Sequence, residues 1–140
     1  MSSLERFGVS VDGRLLEKFD KRNKGMGYGN RSEAIRDLIR DCLIKSKHWV
    51  RDDIKVVGTV TLVFNHHSSD LTEKLNEIQH KHKEMVVCCT HVHLDHDNCL
   101  EVVVLRGQGK QVKETAHQLI AQKGVKHGKA TLTSEGSDLW

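Results

Sequence analysis

Between His80 and Cys99 the chain reads HKHKEMVVCCTHVHLDHDNC, and this run constrains the fold more than any other. It holds five of the ten histidines and three of the four cysteines. Val86, Val87, Thr90 and Val92 are β-formers, so Met85 to Leu94 is expected as a strand. Side chains alternate across a strand, which puts Cys89, His91 and His93 on one face and Cys88, Thr90, Val92 and Leu94 on the other. The polar Asp95-His96-Asp97-Asn98 makes a turn, and Cys99 opens the next strand, LEVVVL. A tight antiparallel return brings Cys99 close to His93. Imidazole nitrogen and thiolate sulfur are donors that nickel, copper and zinc prefer. His91, His93 and Cys99 can therefore reach one ion. A fourth donor must come from elsewhere, and His80 and His82 are the candidates.

The N-terminal part is built differently. ERFGVSV alternates, with Phe7, Val9 and Val11 on one face and Arg6, Gly8 and Ser10 on the other, the pattern of a half-buried strand. A lone strand leaves its backbone donors and acceptors without partners, and no second strand follows in this half. A copy from another subunit is the simplest partner. Asp12 is placed to cap a helix with Leu15, Leu16 and Phe19 as its apolar stripe, broken by Gly25, Gly27 and Gly29. Asn30-Arg31-Ser32-Glu33 then reads as a capping box. The helix after it carries Ala34, Ile35, Leu38, Ile39, Cys42 and Leu43 at three- and four-residue spacing, so Cys42 is expected in a core.

Residues 44–53 are polar apart from Ile44, Trp49 and Val50, and 49–53 is expected as a hinge. Trp49 either packs at the junction or covers the helix end, and His48 is read as solvated. From Ile54 the elements lengthen. IKVVGTVTLVF is a strand, and Ser69 or Asp70 caps a helix with Leu71, Leu75 and Ile78 inward. The histidine-rich strand and Leu100–Leu105 follow. A helix from about Lys110 to Lys123 is closed by Gly124 at C′, with His117 at the edge of its stripe. The last strand is Val125–Thr133, in which His127 has no ligand-like neighbour, and the tail GSDLW is expected to be disordered. The order β-α-β-β-α-β is the split βαβ arrangement: an antiparallel four-stranded sheet with both helices on one face and the other face open to another subunit. The fold class is therefore α+β, with domains at 1–48 and 54–140 joined by a linker at 49–53.

Charge divides the same way. Residues 1–50 carry eleven basic and seven acidic side chains, against eleven and twelve in the remainder. A basic first module suits an anionic partner. No apolar run approaches the ~20 residues of a membrane span. MSSLERFGVSVDG places charge where a signal peptide is apolar, so a cytoplasmic protein is expected. Its cysteines are then free or metal-bound rather than paired.

Over nearly its whole length the sequence resembles nickel-responsive transcriptional regulators of the NikR type. GYGNRSEAIRDLIR with the strand before it resembles the ribbon-helix-helix DNA-binding module. HVHLDHDNCLEVVVL resembles the family's metal-binding hairpin, and IAQKGVKHGK its closing segment. The resemblance implies an ACT-like regulatory domain, a homotetramer built as a dimer of dimers, and Ni2+ in a planar site shared between subunits. The matching ligands are His91, His93 and Cys99 from one chain and His80 from its neighbour. Three imidazoles and a thiolate in a plane suit Ni(II) or Cu(II), whereas zinc prefers a tetrahedron. Glu33 and Asp37 match positions near which the family holds a second, weaker cation. Their other reading is a solvated i, i+4 face beside Arg36 and Arg40.

The resemblance also implies repression of nickel-uptake genes through a palindromic operator in double-stranded DNA. Two paired N-terminal strands make a ribbon that fits the major groove. Arg6 suits a guanine edge and Ser10 is a less selective donor or acceptor. Gly8 has no side chain to read a base, a departure from the hydroxyl or basic residues common there, which shifts specificity to Arg6, Ser10 or DNA shape. The helix starting at Asn30 directs N–H groups at a phosphate, and Arg31 adds charge.

Two rival readings use the same residues. His91-Val92-His93-Leu94-Asp95-His96 fits H-x-H-x-D-H, the motif of dinuclear zinc hydrolases, with Asp95 and His96 on a second metal. That fold needs a far longer chain, and only 41 residues follow Cys99. The other is an ACT-like small-molecule sensor in which the histidines are incidental.

Overall fold

The computed structural model describes residues 3–50 and 53–137, with the backbone alone for residues 46–50. The expectations for His48 and Trp49, for part of the 49–53 hinge and for the end of the tail lie outside the described residues. Contacts divide the chain into two units, Met1–Asp41 and Cys42–Trp140.

The first unit contains helix α1 (Gly13–Gly25) and the start of helix α2 (Arg31–Val50). Both N-cap side chains accept a backbone N–H, the Asn30–Glu33 box through its forward bond, while Glu33 Oε1 lies 3.7 Å from Arg36. Asp12 Oδ1 accepts from Arg14 N at 2.9 Å, and Asn30 Oδ1 accepts from Glu33 N at 2.9 Å. Between the helices Gly27 takes a left-handed φ of +82°, and Tyr28 N donates to Asn23 O at 3.0 Å. Residues 3–12 have no regular structure within one chain, where the alternation of Phe7, Val9 and Val11 predicts a strand. A strand exists only through its ladder, and one chain offers these residues no partner. The apolar stripe of α2 is bare for the same reason. Ala34 is buried, but Leu38, Ile39, Leu43 and Cys42 are exposed, which corrects the expectation that Cys42 is a core residue.

The second unit contains β1 (Lys55–Asn65), α3 (Ser69–Lys81), β2 (Val86–His93), β3 (Asn98–Gln108), α4 (Gly109–Ile120) and β4 (Val125–Thr133). The sheet is antiparallel throughout, in the order β2-β3-β1-β4. That is the expected βαββαβ fold. Val56, Val60, Leu62 and Phe64 of β1 alternate inward and meet Cys99, Val103 and Leu105 of β3. Leu71 and Leu75 of α3 and Val112, Ala116 and Leu119 of α4 close this core, so both helices cover one face. Gly58 and Gly128 let α4 approach the sheet: a Cβ on Gly58 would lie 2.8 Å from Val112 Cγ1, and one on Gly128 2.8 Å from Ile120.

Two helix ends differ from expectation. Ser68 rather than Ser69 or Asp70 is the N-cap of α3, and its side chain makes no capping bond. Helix α4 stops at Ile120, where its apolar stripe ends, not at Lys123. Gly124 is left-handed at φ +102°, but in the following turn rather than at C′. Among the described residues no helix is long and apolar enough to cross a membrane.

Candidate functional site

The β2–β3 hairpin sets the geometry. His93 lies directly opposite Cys99, His91 opposite Glu101 and Cys89 opposite Val103. Cross-strand partners share a face, so His91, His93 and Cys99 all project to the helix-covered side. Asp95 shapes the loop between the strands. Its carboxylate accepts from Asp97 N at 2.9 Å, Asn98 N at 2.7 Å and the Asn98 side-chain amide. These bonds hold its pKa down at about 2, with the Asn98 side chain the largest cause. Asp95, which the hydrolase motif would place on a metal, here holds the turn.

Glu101 is the residue that sequence reasoning missed. It is a carboxylate at 2 % exposure in the middle of the site. Its Oε1 accepts from the Gln79 amide at 2.7 Å and the Cys89 thiol at 2.8 Å, and its Oε2 lies 2.6 Å from His91 Nε2. With Nε2–H donating to Glu101, Nδ1 of His91 keeps the lone pair that a metal requires. The signal was present in the alternation. Cys99, Glu101, Val103 and Leu105 share one face, and a carboxylate among inward apolar residues must find donors there.

The two thiols on this face differ. Burial and the Glu101 bond push Cys89 up to about 12, which keeps it a protonated donor. Cys99 is also raised, by burial first and then by the Glu101 charge, but it is not bonded to the carboxylate. Cys99 is therefore the thiol open to replacement of its proton by a metal ion. The His66 ring meets His93 edge-on with centroids 5.2 Å apart, and Phe64 lies 6.1 Å from His91.

His80 is exposed in the last turn of α3, one residue after Gln79. The structure does not bring it into a four-donor set with the hairpin residues of the same chain. Among the described residues, no three donor atoms from His80, His91, His93 and Cys99 lie within 4.8 Å of one another. In the chain as it stands, His91 is drawn to Glu101 instead. The donor set still fits a borderline transition ion: two imidazoles and a thiol flank one hairpin, and a third imidazole is exposed on a helix that Glu101 ties to that hairpin.

In the first unit Arg6, Gly8 and Ser10 are exposed. A Cβ on Gly8 would meet nothing within 4 Å, so no packing demand explains that glycine. Asn30 is engaged as the cap of α2. Arg31 forks onto Asp20 at 2.8 and 2.7 Å, so a phosphate must compete with that carboxylate. Asp37 accepts from Tyr28 Oη at 2.8 Å and from Arg40 at 2.7 Å, and both lower its pKa. Glu33 lies 3.7 Å from Arg36. The structure does not bring Glu33 and Asp37 together around a cation; each faces an arginine.

Comparison with known proteins places these features in a family. Residues 57–133 match the family model described as the NikR C-terminal nickel binding domain. Residues 5–46 match that of the ribbon-helix-helix proteins of the copG family. A protein of Geobacter sulfurreducens is 54% identical over 139 residues, 99% of each chain. One of Pelobacter propionicus is 52% identical over the same span, and one of Nitratidesulfovibrio vulgaris is 54% identical over 134 residues, 96% of each. All three are provisionally named nickel-responsive regulators. The structure of an uncharacterized protein from Thermotoga maritima matches 56% of the chain at a TM-score of 0.51 and 16% identity, a likeness of fold alone.

Proposed function

Since this chain belongs to the NikR family of nickel-responsive regulators, we propose that it binds double-stranded DNA and represses nickel-uptake genes when Ni2+ is bound. The observation that carries this reading is the register of the hairpin, which sets His93 against Cys99 with His91 on the same face. The proposed ligands are His91, His93 and Cys99, completed by His80 of a neighbouring chain. Bound nickel supplies a divalent charge that outcompetes the Cys99 proton. The chain does the rest. Glu101 orients His91 through Nε2, and the Gln79 amide anchors the last turn of α3 to the same carboxylate. His80 follows Gln79, so its capture by another subunit fixes that turn.

The architecture proposed is a DNA-binding domain at 1–48, a linker at 49–53 and a nickel-binding, tetramer-forming domain at 54–140. The outward face of the sheet, where Val92 is exposed with Leu94 just beyond β2, is the surface for association into a dimer of dimers. Phe7, Val9, Leu38 and Ile39 are exposed in one chain and would be covered when two copies pair their N-terminal strands. That ribbon carries Arg6 and Ser10 to the major groove of a palindromic operator, while Asn30 and Arg31 approach phosphates. No catalytic step is involved, and the protein works in the cytoplasm with its DNA.

The test is nickel binding by full-length Cys99→Ala and Glu101→Gln chains. Cys99→Ala should lose the thiolate-to-nickel absorption and bind at least about tenfold more weakly, and Glu101→Gln should keep the absorption with reduced affinity. A Cys99→Ala chain with unchanged absorption and affinity would refute the ligand assignment.

A further inference from the structure

A second set of donors converges at the tip of the same hairpin, apart from the proposed nickel ligands. We propose that His67, His96 and Asp97 form a separate site for a divalent first-row transition ion. Their ligand atoms all lie within 4.8 Å of one another. His67 Nε2 is 3.6 Å from Asp97 Oδ1, and the rings of His67 and His96 are 5.4 Å apart. A bound ion with bonds near ~2.1 Å holds its ligands about 3–4 Å apart, so the set closes with small rotations of exposed side chains.

The backbone beneath these side chains is already fixed. Asp95 ties Asp97 N and Asn98 N, and His66 N donates to Asp97 O at 3.0 Å, which pins the end of β1 to the loop. Asn65 Oδ1 accepts from His67 N at 2.9 Å. His66 Nε2 and His67 Nε2 lie 2.7 and 3.0 Å from the His96 carbonyl, and their rings meet at a 42° tilt with centroids 4.1 Å apart; to ligate an ion through Nε2, His67 must release that carbonyl and carry its proton on Nδ1. A surface His67–Asp97 pair alone would not need the His96 ring turned to the same point.

The donor chemistry sets the class of ion. Two imidazoles and a carboxylate suit Zn2+, Ni2+ or Co2+ rather than Mg2+ or Ca2+, which take oxygen ligands. Three protein donors facing solvent leave positions for water, so the site is open and weaker than one that includes a thiolate. It shares no ligand with the His91, His93, Cys99 and His80 set.

The experiment loads the full chain with one equivalent of Ni2+, then dialyses it against Zn2+ and counts both metals per chain. Wild type should take up one further Zn2+. His67→Gln/His96→Gln and the milder Asp97→Asn should weaken that uptake at least about tenfold, while nickel and its thiolate absorption stay. Cys99→Ala should lose the absorption and keep the hairpin-tip ion. No Zn2+ uptake by wild type, or equal uptake by the double variant, overturns the proposal. Absent thiolate absorption with His67- and His96-dependent Zn2+ uptake would fail the nickel reading and leave this one standing.

Discussion

Leu62 and Leu38 are the same residue in two different situations. Leu62, on β1, is 0% exposed in the core, whereas Leu38, on α2, is 42% exposed. The second unit closes its own core, with four strands and two helices burying one sheet face. The first unit buries Ala34 and Asn23 and leaves Phe7, Val9, Leu15, Leu38 and Ile39 to solvent. Its apolar pattern is that of a folded domain, but within one chain nothing covers it. The second unit is thus legible from one chain, whereas the apolar stripe of the first is left uncovered within one chain, as the proposed pairing of two copies requires.

The largest effect should separate the units by stability. Leu62→Ala opens a cavity in a complete core and should cost about 2–5 kcal/mol in thermal or urea unfolding. Leu38→Glu comes next. On a monomer's surface it should move stability by less than about 0.5 kcal/mol. If α2 pairs with a copy, it places a charge in an apolar interface, and DNA binding should fall sharply while nickel binding persists. A Leu38→Glu chain that binds DNA normally would break the comparison. Gly128→Ala sharpens it from the other side: the new Cβ meets Ile120 at 2.8 Å and should cost about 1–3 kcal/mol, read as a lower Tm with DNA contacts untouched.

Smaller effects follow at the surface. Arg31→Ala frees Asp20 and, if Arg31 meets a phosphate as proposed, should weaken DNA affinity with a salt slope reduced by about one. Asp95 supplies a pH test in the second unit. Its pKa falls from 3.8 to about 2 on folding, so its support of the loop is full above pH 3.8 and is lost as pH drops through 2. Amide exchange at Asp97 and Asn98 should stay slow at pH 4 and quicken below pH 2. Fast exchange already at neutral pH would contradict the loop as described.

Much of this was readable from residue order. Period-two and period-four apolar spacing in one chain fixed the βαββαβ elements, and the Asp95–Asn98 turn placed Cys99 opposite His93. What stayed hidden depended on a third dimension. Glu101 becomes central only when Gln79, Cys89 and His91 arrive from other elements. His66 and His67 look like loop residues until β1 ends beside His96. Cys42 sits on an apolar stripe, and periodicity marks the stripe without saying whether its cover is in the same chain. Helix α4 ends with its apolar stripe at Ile120, three residues before the Lys123 that the Gly124 signal suggests.

Filling the proposed histidine–cysteine set in the second unit should change the grip of the first on DNA. Coupling between such sites is typically ~1–3 kcal/mol, or about 5–150-fold in affinity. The most direct measurement is the affinity of the full chain for the DNA upstream of its target gene, with stoichiometric Ni2+ and after chelation, for wild type and Cys99→Ala. Nickel should tighten wild-type binding at least about fivefold and leave Cys99→Ala unchanged. Equal affinity of the loaded and stripped wild-type protein would contradict it.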